Sequence, residues 1–128
     1  MMWLPTLSHI LRLHSKLTHH SGGMDGIRDI GLIESALLRT TASYDGQELY
    51  TNTEAKAAAV CCGLIGNHGS VDGNKRVGIA SMLLILAQNE VVITYTQEEF
   101  VALGLSIAQG QMDVSNVAIW IAAHSNAL

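Results

Sequence analysis

The sequence points to an all-α bundle of about six helices, for three reasons. Apolar residues recur at three- and four-residue spacing along most of the chain, capping residues and glycines bracket those segments, and the single β-branched run has no partner with which to build a sheet. The chain has 128 residues, 48% hydrophobic and 14% charged, which suits one domain over 1–128 with a substantial interior and is too apolar for a disordered segment.

The first helix is expected after Pro5, whose missing N–H costs little near a first turn, with Leu7, Ile10, Leu11 and Leu17 as its stripe and Gly22-Gly23 as its stop. Asp29 is placed to cap a second helix carrying Ile30, Ile33 and Leu37 on one side. Tyr44-Asp45-Gly46 reads as a turn. Thr51 and Glu54 then form a capping-box pattern ahead of an alanine-rich helix over 55–65. After a break at 66–73, the run 75–88 is apolar on nearly every side, which predicts a helix at the centre of the bundle. The β-branched run 91–96 is read as an extended connector. Thr96 and Glu99 make a second capping box, opening a helix with Phe100, Leu103 and Ile107 in register and Gly110 at its end. Asp113 caps the last helix, which bears Val117, Trp120 and Ile121.

Charge and composition exclude several function classes. Seven Lys and Arg stand against eleven Asp and Glu, for a net charge of −4, the reverse of the balance that phosphate-binding nucleic-acid proteins need. Cys61 and Cys62 are adjacent in an apolar run, which predicts buried thiols in a reducing cytoplasm rather than a disulfide framework. The apolar stretch 79–87 is about half the ~18 residues of a membrane span. The start, MMWLPTLSH, has no cationic head and apolar core of a secretory signal.

The segment that carries chemistry is Asn67-His68-Gly69-Ser70-Val71-Asp72-Gly73-Asn74-Lys75-Arg76, between two expected helices. Gly73 lets a backbone approach a ligand closely, and Asn74, Lys75 and Arg76 begin a helix whose free N–H groups and dipole attract anions. Lys75 and Arg76 add positive charge, while Asp72 and Asn74 offer oxygen ligands suited to a Mg²⁺ shared with phosphates. A nucleotide fits that set. His68 is the group whose ordinary pKa near 6.5 allows it to remove a proton from a hydroxyl at neutral pH, an effect worth about 10²–10⁴ in rate. The string is neither a Walker A loop, since Gly-Lys-Ser/Thr is absent, nor an EF-hand, since its alternating acidic ligands are missing.

This string closely resembles the signature of the Fic/Doc superfamily, in which a histidine, an aromatic two residues on, an acidic residue and then Gly-Asn-Lys-Arg or Gly-Asn-Gly-Arg form the active-site loop. Lys75 selects the Doc-type branch. Gly26-Ile27-Arg28-Asp29-Ile30-Gly31-Leu32-Ile33-Glu34-Ser35-Ala36-Leu37 resembles the upstream Doc-type pattern, as do Leu13-His14 and Glu54-Ala55-Lys56-Ala57-Ala58, so the likeness covers nearly the whole chain. The resemblance implies a small helical toxin of a bacterial toxin–antitoxin pair that uses ATP and Mg²⁺. By position, His68 would be the base, Asp72 and Asn74 the metal and phosphate ligands, and Gly73, Asn74, Lys75 and Arg76 the phosphate site.

Doc-type members phosphorylate a threonine of elongation factor Tu, whereas other Fic relatives transfer AMP to a target hydroxyl. Those AMP-transferring members carry a second arginine after the motif, and this chain continues Val77-Gly78-Ile79-Ala80, which favours the kinase chemistry. A Phd-like antitoxin, with a tail that folds as a helix into a groove of the bundle, is the partner the resemblance implies. Three positions depart from the pattern. Ser70 replaces the aromatic, Gly69 the usual proline, and Gly66 a residue that is often basic. Emptying a buried aromatic site costs about 3–5 kcal/mol, so an attenuated toxin is expected, with an antitoxin-binding or corepressor role as the non-enzymatic alternative.

Other candidates rank lower. His19-His20 fits a solvated helix end and matches no zinc spacing, and His14 reads as a packing residue. Arg28 and Asp29 read as an ion pair or cap, and Met82, Leu83, Leu84 and Leu86 as core.

Overall fold

The computed structural model describes residues 2–21, 30–67 and 74–125. Over these it contains six α-helices: α1 (Leu7–Ser21), α2 (Ile30–Leu38), α3 (Thr53–Asn67), α4 (Asn74–Gln88), α5 (Gln97–Ala108) and α6 (Val114–His124). A 3₁₀ turn, Arg39–Thr41, extends α2. The strands β1 (Ser43–Tyr44) and β2 (Gln47–Glu48) pair antiparallel as a short hairpin. The all-α expectation holds, and among the described residues no helix is long and apolar enough to cross a membrane.

Helix boundaries follow local chemistry. Thr6 caps α1: its Oγ1 accepts from His9 N–H at 3.3 Å, and His9 Nδ1 accepts from Thr6 N–H at 2.9 Å. Pro5 therefore lies just outside the helix. The start of α3 departs from the expected Thr51 cap. Asn52 Oδ1 accepts from Ala55 N–H at 2.8 Å, one residue later, because an Asn side chain reaches the third donor as well as Thr does. The boxes at Thr96–Glu99 and at Asp113 form as expected, the latter with Asn116 as its reciprocal partner. In the hairpin, Asp45 and Gly46 take φ of 54° and 79°, the pair of left-handed residues a tight two-residue turn requires.

Two helices end in the same way. After α5, Gly110 has φ 75°, with Gly110 N–H bonded to Ile107 O and Gln111 N–H to Ser106 O, a Schellman end. After α4 the same bonds run from Glu90 to Ala87 and from Val91 to Leu86, but the left-handed residue is Glu90, with φ 63°.

The innermost helix is α3 rather than α4. Six consecutive residues of α3, from Lys56 to Cys61, are buried, and the helix packs on α2, α4, α5 and α6, while α4 contacts α1, α3 and α5. Six buried residues in a row wrap more than a full turn, so α3 has no solvent side there. Alanines at 57, 58 and 59 allow that crowding. The amine of buried Lys56 donates to the Thr40 carbonyl and pairs with Glu48 Oε1 at 3.2 Å, tying the hairpin to the core. The connector 91–96 is extended, and Ile93 pairs with Ser125 beyond α6, supported by Thr94 N–H on His124 O at 2.9 Å.

Candidate functional site

The phosphate motif brackets the junction between α3 and α4. His68, Gly69, Ser70, Asp72 and Gly73 lie outside the described residues, as does the side chain of Asn74. Within the described part, Asn74 is the first residue of α4, Lys75 is exposed and Arg76 half-buried. The first turn of α4 has no acidic side chain, and Lys75 and Arg76 stand there at the positive end of the helix dipole.

The two helices are held close where the junction needs them. A Cβ on Gly78 would sit 2.6 Å from Ile65 Cγ1 and 3.1 Å from the Cys61 carbonyl. Only a bare backbone fits there, and it anchors the first turns of α4 against the last turns of α3. Gly104 keeps α5 close to α4 more loosely, since a Cβ on it would lie 3.0 Å from the end of the Ile79 side chain. Ser81 is buried and its Oγ donates to Val77 O at 2.7 Å, so its hydroxyl is satisfied within α4.

This close approach leaves a cleft of about 190 Å³ between α4 and α5, lined by Lys75, Arg76, Ile79, Phe100, Val101, Gly104 and Leu105. Its floor is apolar and its cations come from the phosphate motif. Sequence reading follows the stripe Phe100, Leu103 and Ile107, of which the last two are buried, and passes over Val101 and Leu105. These lie four residues apart on the other side of α5 and are 50% and 44% exposed. Two large apolar residues left open at helical spacing are the signal that finds this wall.

The other sequence candidates resolve simply. Cys61 is buried and Cys62 half-buried. Burial, and then the neighbouring Cys62, pushes the Cys61 thiol up. Burial likewise pushes Cys62 up to about 11, with Arg39 pulling down and Asp113 pushing up by less. Neither is a thiolate at neutral pH. His14 is buried in α1, as expected of a packing residue. Arg28 and Asp29 lie outside the described residues, and so do the side chains of His19 and His20.

The structure is thus an all-α bundle with Lys75 and Arg76 at the start of α4 beside an apolar cleft. The Fic/DOC family model matches residues 4–86, and the chain belongs to that family. It is similar to the Toxin Doc of Mycolicibacterium smegmatis, 40% identical over 70 residues, which cover 55% of this chain and 54% of that protein. It is also similar to the Protein kinase doc of Escherichia phage P1, 30% identical over 109 residues, which cover 85% of each chain. The chain thus spans about half the length of the mycobacterial relative and most of the phage one.

Proposed function

We propose that this chain, as a single domain over 1–128, is a Doc-like toxin of the cytoplasm, a kinase that moves the γ-phosphoryl group of ATP to a protein hydroxyl. The substrate in this reading is a threonine of elongation factor Tu, and the outcome is arrested translation. The observation that carries the reading is the start of α4, where Lys75 and Arg76 lie in a first turn that holds no acidic residue, beside the apolar cleft. The phage P1 relative named a protein kinase supports the same chemistry.

In this mechanism the backbone N–H groups from Gly73 onward and the Lys75 and Arg76 cations hold the phosphates and neutralise charge that builds on them. His68 takes the proton of the attacking threonine hydroxyl. That oxygen then bonds to the γ-phosphorus as the bond from phosphorus to the β–γ bridging oxygen breaks, and ADP leaves with that electron pair. Phosphoryl transfer through a loose transition state asks for positioning and charge neutralisation, which this short set of residues can supply. The charges of Lys75 and Arg76 suit the phosphates of the nucleotide. Asp72 and the Asn74 side chain would hold Mg²⁺, which supplies further charge neutralisation when bound.

A Phd-like antitoxin would restrain the toxin through a helix laid in a groove of the bundle. Ser70, in place of the aromatic anchor, is the feature that would attenuate activity. Gly66, exposed where a basic residue is usual, would add to that attenuation.

The test is the mass gained by elongation factor Tu incubated with the protein, ATP and Mg²⁺. A gain of roughly 80 Da is expected for phosphoryl transfer, roughly 329 Da would replace it with AMP transfer, and His68→Ala should abolish either. No added mass, together with tight antitoxin binding, would favour the non-enzymatic role. Replacing Ser70 with Phe should deepen growth arrest on induction, and an unchanged growth curve would refute the attenuation.

A further inference from the structure

The stretch from Phe100 to Met112 carries no charged residue, and within it Val101 and Leu105 stand open to solvent one turn apart on α5. Gly104, on the same turn as Leu105, gives the α4–α5 cleft its depth. A Cβ there would come 3.0 Å from the end of the Ile79 side chain and 3.8 Å from Lys75 Cβ, so the space a side chain would take is left open. Phe100 completes the lining, its ring stacked on that of Tyr95 with centroids 5.8 Å apart.

Three properties of this cleft restrict what it can hold. Its volume of about 190 Å³ is below the roughly 300 Å³ at which sites for whole small molecules begin, and close to the ~150 Å³ cavity that one benzene occupies. Its lining is hydrocarbon apart from Lys75 and Arg76, and the α5 amides behind it are engaged within their own helix. The ring nitrogens and exocyclic groups of a nucleobase would find no partners on the α5 wall, whereas an apolar side chain needs none. Lastly, Lys75 belongs both to the cleft and to the 67–76 motif, so the apolar space opens directly beside the phosphate site.

We propose that the cleft is a specificity pocket for one bulky apolar side chain, such as leucine or phenylalanine, close in sequence to the hydroxyl residue that receives the phosphoryl group. The proposal rests on the reading of the chain as an enzyme acting on a protein hydroxyl. An extended peptide advances about 3.4 Å per residue, so a pocket that begins at Lys75 takes a side chain within about four residues of the acceptor. The anchor is held in the ground state and the transition state alike, so it acts on KM more than on kcat.

The experiment gives the full chain ATP, Mg²⁺ and labelled peptides of about 13 residues. Each has a central threonine in an alanine-rich background, with leucine placed in turn at each flanking position. Phosphate incorporation is read by mass, and peptide affinity is read separately by fluorescence anisotropy. At one position leucine should raise affinity and kcat/KM about tenfold or more over alanine, chiefly through KM, and glutamate there should give no gain. Val101→Ser/Leu105→Ser should bring that ratio down to about one. Gly104→Ala, whose added carbon meets the movable end of Ile79, should shift the preference from phenylalanine towards smaller side chains. Parental thermal melts for either variant would tie the change to the cleft. No leucine preference at any position, or one that survives in Val101→Ser/Leu105→Ser, overturns the proposal. So does a loss of ATP affinity in that variant with the preference intact, which would assign the cleft to the nucleobase. Leucine-dependent binding without incorporated phosphate supports the pocket and refutes the kinase, and incorporation indifferent to the flanking side chains does the reverse.

Discussion

At position 90 the chain uses a glutamate where the backbone asks for glycine. The bonds that end α4 match those that end α5, yet Gly110 closes one and Glu90 the other, each with positive φ. A Cβ in that conformation costs about 1 kcal/mol. Glu90→Gly is therefore expected to stabilise the protein by roughly 0.5–1 kcal/mol, read as a higher denaturant midpoint with an unchanged slope. Sequence patterns announce the end of α5 through its glycine, but they cannot announce that of α4, because nothing about a glutamate marks a left-handed residue.

His124 has oxygen acceptors at both ring nitrogens: Glu99 Oε2 lies 2.6 Å from Nε2 and Trp120 O lies 2.7 Å from Nδ1. Only the imidazolium can donate to both. The Glu99 bond and then the Trp120 carbonyl hold the His124 pKa above its ordinary 6.5. The His124 and then the Thr96 bonds hold Glu99 below 4.5. The histidine's contribution is complete below 6.5 and is lost as pH rises through its raised folded value. The glutamate's is complete above 4.5 and is lost as pH falls through its lowered one. The pair thus acts most strongly between those two ordinary values. The melting temperature of the parent should fall more than that of His124→Gln as pH is raised from about 6 to about 8. Parallel curves would show the pair to be without effect.

Among the elements, the α3–α4 pairing carries the clearest contrast. Gly66 and Gly78 are both helical, and alanine is the better helix former by about 1 kcal/mol at each. At Gly66 nothing stands within 4 Å of the added carbon, so Gly66→Ala should stabilise by about that amount. At Gly78 the carbon would lie 2.6 Å from Ile65 Cγ1, against a fully buried side chain that cannot step aside. Overpacking costs about 1–3 kcal/mol, so Gly78→Ala should destabilise on balance and should also shift the start of α4. Paired melts of the two variants, with opposite signs, check this. The helices α5 and α6 are legible because periodicity and caps agree there, α1 and α2 through their apolar stripes, and α3 and α4 through their alanine-rich and apolar runs. The misplacement of the central helix has a physical cause. Hydropathy counts large apolar residues and favours 75–88, whereas the true centre is built from alanines whose small size lets four neighbours close in.

For the molecule as a whole, the candidate site is partly legible for a related reason. Its motif is contiguous from Asn67 to Arg76, so chemistry and spacing stand together in the sequence. The cleft wall on α5 arrives from residues 100–105 through packing alone, and its open residues, Val101 and Leu105, belong to no buried stripe.

One tie spans most of the chain. Asn89 Oδ1 accepts from Trp3 N–H at 2.7 Å and its Nδ2 donates to Trp3 O at 2.9 Å and to Ile85 O at 2.7 Å, joining residues 86 positions apart. During synthesis residue 3 must wait until residue 89 has left the ribosome, so this bond closes late, after the intervening helices can form. An interaction made after the transition state governs escape from the native state more than arrival at it. Asn89→Ala should therefore cost about 1–3 kcal/mol, appearing as faster unfolding with refolding nearly unchanged in stopped-flow chevrons. The amide at the end of α4 is then a kinetic lock, and it sets how long the folded chain survives rather than how quickly it is made.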